Sequence, residues 1–141
     1  MPLDNMFAIA GSALNAQSTR MNATASNLAN AATVAGSEKE AFRAKRVSFK
    51  TIIDDQIGKV NDGNQGGVRV SGITDDPKGI GRVSALGNPL ADKDGYIYLS
   101  NVNEMTEMVE MMAASRSYQN NVEVVNTARQ LTLRTLDIIK S

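Results

Sequence analysis

The chain has 141 residues, which corresponds to one domain and excludes a large multidomain enzyme. Its 15 basic and 15 acidic residues cancel, so no net field attracts nucleic acid or anionic lipid. His, Cys and Trp are all absent, which excludes imidazole catalysis, thiol nucleophiles, disulfides and the ligand sets that zinc prefers, and predicts an aliphatic core rich in Ala and Met.

Glycine and proline divide the chain into three segments. Ten of the eleven glycines lie between Gly36 and Gly95, together with two of the three prolines. Because these residues interrupt helices, both ends are predicted to be helical and the middle is not. We therefore divide the chain into an N-terminal helical assembly segment over residues 1–35, a Gly-rich middle segment with short strands and loops over 36–101, and a C-terminal helical assembly segment over 102–141.

The first segment has the spacing of an amphipathic helix over residues 5–32, roughly 40 Å long. Its apolar seam is a line of residues that recur every three and four positions in turn, as in a coiled-coil heptad, except that half of the d positions are polar. Many Asn, Ser and Thr residues on the other faces make this helix marginal by itself, so it needs a partner helix. The seam and two asparagines near its end predict an assembly interface made of Phe7, Ala10, Leu14, Gln17, Met21, Thr24, Asn27, Leu28, Asn30 and Ala31.

The middle segment alternates short β-branched runs with turn residues. Residues 41–49, 67–73 and 95–99 predict short strands, whereas residues 54–66 are rich in Asp, Gly, Asn and Gln and are predicted to be flexible. We expect a small β-rich insertion or an ordered loop. It contains too few large apolar residues to cover two long helices, so some apolar helix surface should remain for other subunits.

An acidic turn in the middle segment has two interpretations. Asp92, Asp94 and Gly95 resemble part of a calcium loop, but Leu90 and Asn101 stand where the first and last acidic ligands belong. We therefore favour an Asp-Gly turn before a strand and predict no metal, no cofactor and no small-molecule substrate.

The chain has one basic cluster, at the start of the middle segment. Without a wider basic surface, contact with nucleic acid is disfavoured. We favour a charged edge strand, whose charges prevent unwanted pairing with strands of other molecules. Contact with an acidic neighbouring subunit is the other interpretation. The cluster consists of Lys39, Arg43, Lys45, Arg46 and Lys50.

The last segment predicts a second helix over about residues 103–139, roughly 55 Å long. Asn101 and Glu104 fit a cap at its start. A second apolar line, on another side of the helix, predicts a second set of neighbours. Its Met-rich start either fills a core or forms an adaptable interface. The predicted assembly interface continues here with Met108, Met111, Met112, Ser115, Tyr118, Val122, Val125 and Leu136.

Together these elements predict a mainly α protein. Two long terminal helices should pack as a coiled-coil-like pair, with a small β-rich or irregular middle segment. No stretch approaches the ~18 uninterrupted apolar residues of a spanning helix, and the N-terminus lacks the pattern of a cleaved secretory signal. We therefore expect a soluble chain with no direct membrane span.

Four sequence blocks stand out along the chain: AIAGSALNAQ at residues 8–17, SNLANA at 26–31, NPLAD at 88–92 and MMAASRSYQ at 111–119. These blocks and their order resemble the bacterial flagellar rod, hook and hook-associated axial proteins. Together with the length, they are most similar to the proximal-rod members of that family. Ser100 and Asn120 depart from the family pattern, and residues 51–65 match nothing in it.

The resemblance implies a structural subunit of the proximal rod of the flagellar basal body, not an enzyme. Such a subunit is synthesised in the cytoplasm, exported unfolded by the flagellar type III apparatus without a cleaved signal peptide, and polymerised in the periplasm with copies of itself and related rod proteins. Its terminal helices would form the inner layers of a tube that transmits torque for motility. A distal rod or hook protein is the alternative, although its middle segment is usually longer, and a non-flagellar binding module is less favoured.

Overall fold

A computed structural model of the chain describes residues 2–52 and 66–140. The predicted flexible segment, 54–66, lies outside the described residues except for Gly66. The structure contains two helices at the ends and five strands between them, which confirms a mainly α protein with a β-containing middle. The elements are α1 (Pro2–Ala29), β1 (Val34–Ala35), β2 (Lys45–Thr51), β3 (Val68–Asp75), β4 (Arg82–Ser84), β5 (Tyr96–Leu99) and α2 (Glu104–Lys140).

Both helices lie within three residues of their predicted bounds. After Ala29 the backbone tightens, because the N–H of Ala31 bonds to the carbonyl of Leu28 and the N–H of Thr33 to that of Asn30. At the start of α2, Asn103 Oδ1 accepts the N–H of Thr106 at 3.0 Å, so Asn103 is the cap.

The prediction that Asn101 caps the second helix was wrong. The Asn101 side chain is engaged outside the helix, where Oδ1 accepts the N–H of Ala44 at 2.7 Å and Nδ2 donates to the carbonyl of Lys78 at 2.9 Å. Asn101 therefore joins two loops of the middle segment to the residues that precede α2.

The strands form two small antiparallel sheets, a three-stranded one in the order β1-β5-β4 and a two-stranded β2–β3 ribbon. The ribbon runs from the pair Lys45 and Asp75 to the pair Thr51 and Val68, with an irregularity after Ser48. Residues 41–44 are not a strand, although the sequence predicts one. β1 and β4 were not predicted, because two or three residues are too short for a recognisable alternation and are held by pairing with β5.

The two helices pack along each other in antiparallel directions. The side chain of Arg20 pairs with Glu110 and that of Asn27 with Glu107, so the chain runs forward along α1 as it runs back along α2. The predicted Ala-rich core is confirmed, but methionine is missing from it: every fully buried apolar side chain in the described part of the chain is an alanine. These are Ala10, Ala16, Ala23, Ala41, Ala44, Ala114 and Ala128.

Helix α2 is longer than its partner, with 37 residues against 28. Counted from the contact between Asn27 and Glu107, it continues about eight residues, or roughly 12 Å, past the first residue of α1. The last buried residue of α2 is Ala128. We call residues 129–140, which follow Ala128 and include this extension, the C-terminal overhang. Its large apolar residues are about half exposed or more: Leu131, Leu133, Leu136, Ile138 and Ile139.

Neither helix, over the residues that the structure describes, has the combination of length and hydropathy that crossing a bilayer requires.

Candidate assembly interface

A polar cluster with two buried side chains, Asn27 and Glu107, lies where α1, β2 and α2 meet. The Glu107 carboxylate is 1% exposed, and it accepts Arg46 Nη1 at 2.7 Å and Asn27 Nδ2 at 2.9 Å. Arg46 Nε also donates to Asp76 Oδ2 at 3.0 Å. Burying a carboxylate is costly unless it is paired and hydrogen-bonded, and both conditions are met here. We call Asn27, Arg46, Asp76 and Glu107 the junction cluster.

Asn27 binds the first residue of β2 as a neighbouring strand would. Its Oδ1 accepts the backbone N–H of Lys45 at 2.7 Å, and its Nδ2 donates to the Lys45 carbonyl at 3.0 Å. The same Nδ2 donates to Glu107, so one amide joins three elements. Only a side chain with both a donor and an acceptor can make this set of bonds. The side chain is 1% exposed, so its contacts are made within the chain.

The Asp76 carboxylate completes the cluster at the end of β3. The backbone N–H of Lys78, and next the Arg46 guanidinium, hold the pKa of the Asp76 carboxyl below its usual range. Asp76 therefore stays ionised beside Arg46, and the guanidinium has a carboxylate on both sides.

The predicted interface residues of the first segment divide by burial, and two of them, Asn30 and Ala31, lie in the turn after α1 and not in the helix. Ala10, Thr24 and Asn27 are buried inside the chain. The remaining members are partly exposed: Phe7, Leu14, Gln17, Met21, Leu28, Asn30 and Ala31. Part of the predicted seam is therefore occupied by contacts within one molecule.

The predicted interface residues of α2 also divide. Met111, Ser115, Val122 and Val125 are half-buried, and Met108, Met112, Tyr118 and Leu136 are exposed. The positions of α2 that face α1 are instead best marked by its three buried residues, Glu107, Ala114 and Ala128.

Four apolar residues form one exposed patch near the start of α2. Met105 is 74% exposed, Met108 51%, Val109 64% and Met112 58%. Their spacing of three and four places them on one face, and Met105 lies about 200° round the helix from the buried Glu107. We call these residues the methionine patch. Within one chain these three methionines are not core filler, whereas the neighbouring Met111 is half-buried.

The Asp92 carboxylate organises a turn before β5. Its Oδ1 accepts the N–H of Asp94 at 3.0 Å and of Tyr96 at 2.8 Å, and Oδ2 accepts the Tyr98 hydroxyl at 3.2 Å. Gly95 has φ +79°, a conformation that favours glycine. The Asp-Gly turn is therefore the observed structure, and no group of three acidic residues that could hold a metal occurs in the described ranges.

This turn predicts an acid-dependent loss of stability. The Tyr96 N–H holds the pKa of Asp92 below its usual value, so the native state binds fewer protons there than the unfolded chain does. The stabilisation is complete above about pH 4 and is lost as the pH falls through the lowered pKa. Thermal unfolding midpoints should therefore fall more steeply below pH 4 in the wild type than in Asp92→Asn, which keeps the Oδ1 acceptor. Parallel curves for the two proteins would contradict this.

Three residues of the basic cluster have acidic partners in the same chain. Lys45 Nζ lies 2.5 Å from Asp75 Oδ1, Arg43 Nη2 lies 3.4 Å from Glu38 Oε1, and Arg46 is held in the junction cluster. The cluster is thus largely neutralised inside the molecule, and it lies partly on a strand of the two-stranded ribbon.

Sequence reasoning missed the junction cluster. The sequence predicts Asn27 in an assembly interface and Arg46 in a charged edge strand, and neither prediction brings the two residues together. The bonds within the cluster join residues 61 and 80 positions apart in the chain, so no local pattern indicates them.

Comparison with known proteins bears on the same segments. A family model described as "Flagella basal body rod protein" matches residues 7–35, which include most of α1, the turn after it and β1. One described as "Flagellar basal body rod FlgEFG protein C-terminal" matches residues 93–138, which include β5 and most of α2.

Individual relatives are similar over almost the whole chain, and each is named flagellar basal-body rod protein FlgC. The protein of Yersinia enterocolitica is 50% identical over 138 residues, and that of Salmonella typhimurium LT2 is 46% identical over 138 residues. A more distant relative, from Buchnera aphidicola subsp. Baizongia pistaciae, is 32% identical over 142 residues. Each alignment covers 98% of both chains. The chain therefore belongs to the FlgC family of flagellar basal-body rod proteins.

Proposed function

We propose that the chain is a structural subunit of the rod of the flagellar basal body, and not an enzyme. Membership of the FlgC family supports the rod and its assembly with other flagellar rod proteins. The structural observation that carries the proposal is the apolar surface of α2: the methionine patch near one end and the C-terminal overhang at the other are both left exposed by the chain itself.

The finer proposal concerns how the helices assemble. The terminal helices pair in a coiled-coil-like way, and the exposed members of the predicted interface contact copies of the chain and related rod proteins. The methionine patch lies near Glu104, whereas the overhang carries Arg129 and Arg134. Opposite charges beside two apolar surfaces favour a head-to-tail contact, which generates an open helical array when the rotation does not close.

The spacing of the two surfaces is set by one helix. Met108 and Leu136 are separated by roughly 40 Å along α2. Because one continuous helix carries both surfaces, their separation is fixed. In the proposed rod, this rigidity allows torque to pass from one subunit to the next.

We further propose that the chain lies in the proximal rod, in the periplasm, after unfolded export through the flagellar type III apparatus. The buried apolar side chains are alanines, which bury little area each, and α1 is rich in poor helix formers. Both features favour a helix pair that unfolds readily for passage through a channel. We also propose the three-segment division of the chain, in which the described part of the middle segment, residues 36–52 and 66–101, faces outward.

A gene disruption tests the proposed function. Removing the gene should abolish swimming, and a plasmid copy of the gene should restore it. In the complemented cells, immunoblots of purified basal bodies should detect the chain. The alternative, a related distal rod or hook protein, is separated by electron microscopy of basal bodies that carry a labelled chain: label at the base supports the proximal rod, and label beyond it supports the alternative. Normal swimming without the gene would contradict the proposal.

A further inference from the structure

The junction cluster holds together three parts of the chain that are distant in sequence. Asn27 lies near the end of α1, Arg46 on β2 and Glu107 in the first turn of α2. Glu107 is the largest of the fully buried side chains in the described residues, and it is charged. Its position between the helices means that α1 and α2 cannot close at this end without burying that carboxylate.

The counter-charge for Glu107 comes from the middle segment and not from the opposite helix. Arg46 Nη1 reaches Glu107 Oε1 at 2.7 Å, while α1 contributes the neutral amide of Asn27. If the helices paired with the β2–β3 ribbon undocked, the Glu107 carboxylate would lose its counter-charge and keep only one neutral donor between the two helices, which is unfavourable. Docking of the ribbon therefore decides whether the helices can pair here.

A second ion pair on the same helices provides a contrast. Arg20 and Glu110 join α1 to α2 directly, and their side chains are 30% and 40% exposed. The Arg46 side chain is itself 41% exposed, so the difference lies in the carboxylates. Glu110 is solvated whether or not the ribbon is docked, so its pair contributes little to the coupling. The dependence on the ribbon is specific to Glu107.

We propose that Asn27, Arg46 and Glu107 are positioning residues that make pairing of α1 and α2 conditional on docking of the β2–β3 ribbon. The helices therefore pair stably only when the ribbon is docked. A chain whose middle segment is unfolded does not present paired helices for assembly. This inference rests on the proposed rod function for its biological role, and on the geometry of the junction cluster for its mechanism.

The test is a rescue experiment in the full chain. Arg46→Met keeps an apolar stem but leaves Glu107 without its counter-charge, and incorporation into basal bodies should fall at least tenfold. Adding Glu107→Gln removes the buried charge and keeps an acceptor for Asn27, so the double variant should return to within about threefold of Glu107→Gln alone. The matched control, Arg46→Met with Glu110→Gln, neutralises a carboxylate one turn away and should not rescue.

Thermal unfolding of the purified full-length variants gives a second readout, with the same expected order of midpoints. If Arg46→Met does not fold, a folded double variant supports the coupling and an unfolded one overturns it. Equal rescue by Glu110→Gln, absence of rescue by Glu107→Gln, or a wild-type level for Arg46→Met would each overturn it. Wild-type chain missing from basal bodies would contradict the proposed function instead, and the order of unfolding midpoints would still decide the coupling.

Discussion

Asn27→Asp should destabilise the protein by about 3–5 kcal/mol, the range for breaking a buried charge network. The substitution replaces the side-chain NH2 group by an oxygen atom and hardly changes the side-chain volume. It removes the donor to the Lys45 carbonyl and to Glu107, and it places a second carboxylate beside a buried one. The free energy of unfolding, from urea denaturation of the purified chain, measures the effect directly.

Asn22→Asp is the matched control, because it makes the same chemical change on an exposed position of α1. It should alter the free energy of unfolding by about 0.5 kcal/mol or less. In cells, Asn27→Asp should abolish swimming and Asn22→Asp should leave it intact. If the two variants were equally stable, the contacts of Asn27 would not have the energetic role assigned to them.

Met112→Glu should leave the fold intact and reduce incorporation into basal bodies at least tenfold. Met112 is 58% exposed in the single chain, so a carboxylate there stays hydrated and the thermal midpoint should move little. In an assembled apolar contact, the same carboxylate would be desolvated without a partner, and a tenfold loss corresponds to only about 1.4 kcal/mol. Immunoblots of purified basal bodies, normalised to cellular levels of the chain, measure the loss.

The control for this variant is Gln119→Glu, which adds the same charge to an exposed polar position on the same helix, two turns further along. It should assemble within about twofold of the wild type. A Met112→Glu variant that assembled as well as this control would show that the methionine patch is not buried in the rod. A variant that unfolded would show that the patch packs within the chain.

The helices could be predicted from the sequence because their evidence is local. Apolar residues recur every three or four positions over long stretches, and glycine is concentrated between Gly36 and Gly95. Strand pairing depends on distant residues: β1 is two residues long and exists through its pairing with β5. The cap at Asn103 was missed because Asn101 also fits a capping pattern, and only the loops around it decide between them.

The presence of exposed apolar residues on α2 was predicted, but not which positions they occupy. The apolar spacing shows that α2 has more than one apolar side, but not which side α1 covers. Helix register decides this: the buried alanines Ala114 and Ala128 fix the covered side, and Met108 and Met112 lie away from it. The junction cluster was not predicted, because a polar residue in a helix pattern is normally solvated and its burial becomes evident only in three dimensions.

The unequal lengths of the helices have a mechanical consequence. Since α2 continues past α1 at one end, two such molecules stacked along an axis would meet across a step and not across a flat plane. A twisting load would then cross the joint as shear, distributed over overlapping side chains. Every cross-section through the joint would contain at least one continuous helix. A shaft built in this way resists slipping between tiers without any covalent bond between its parts.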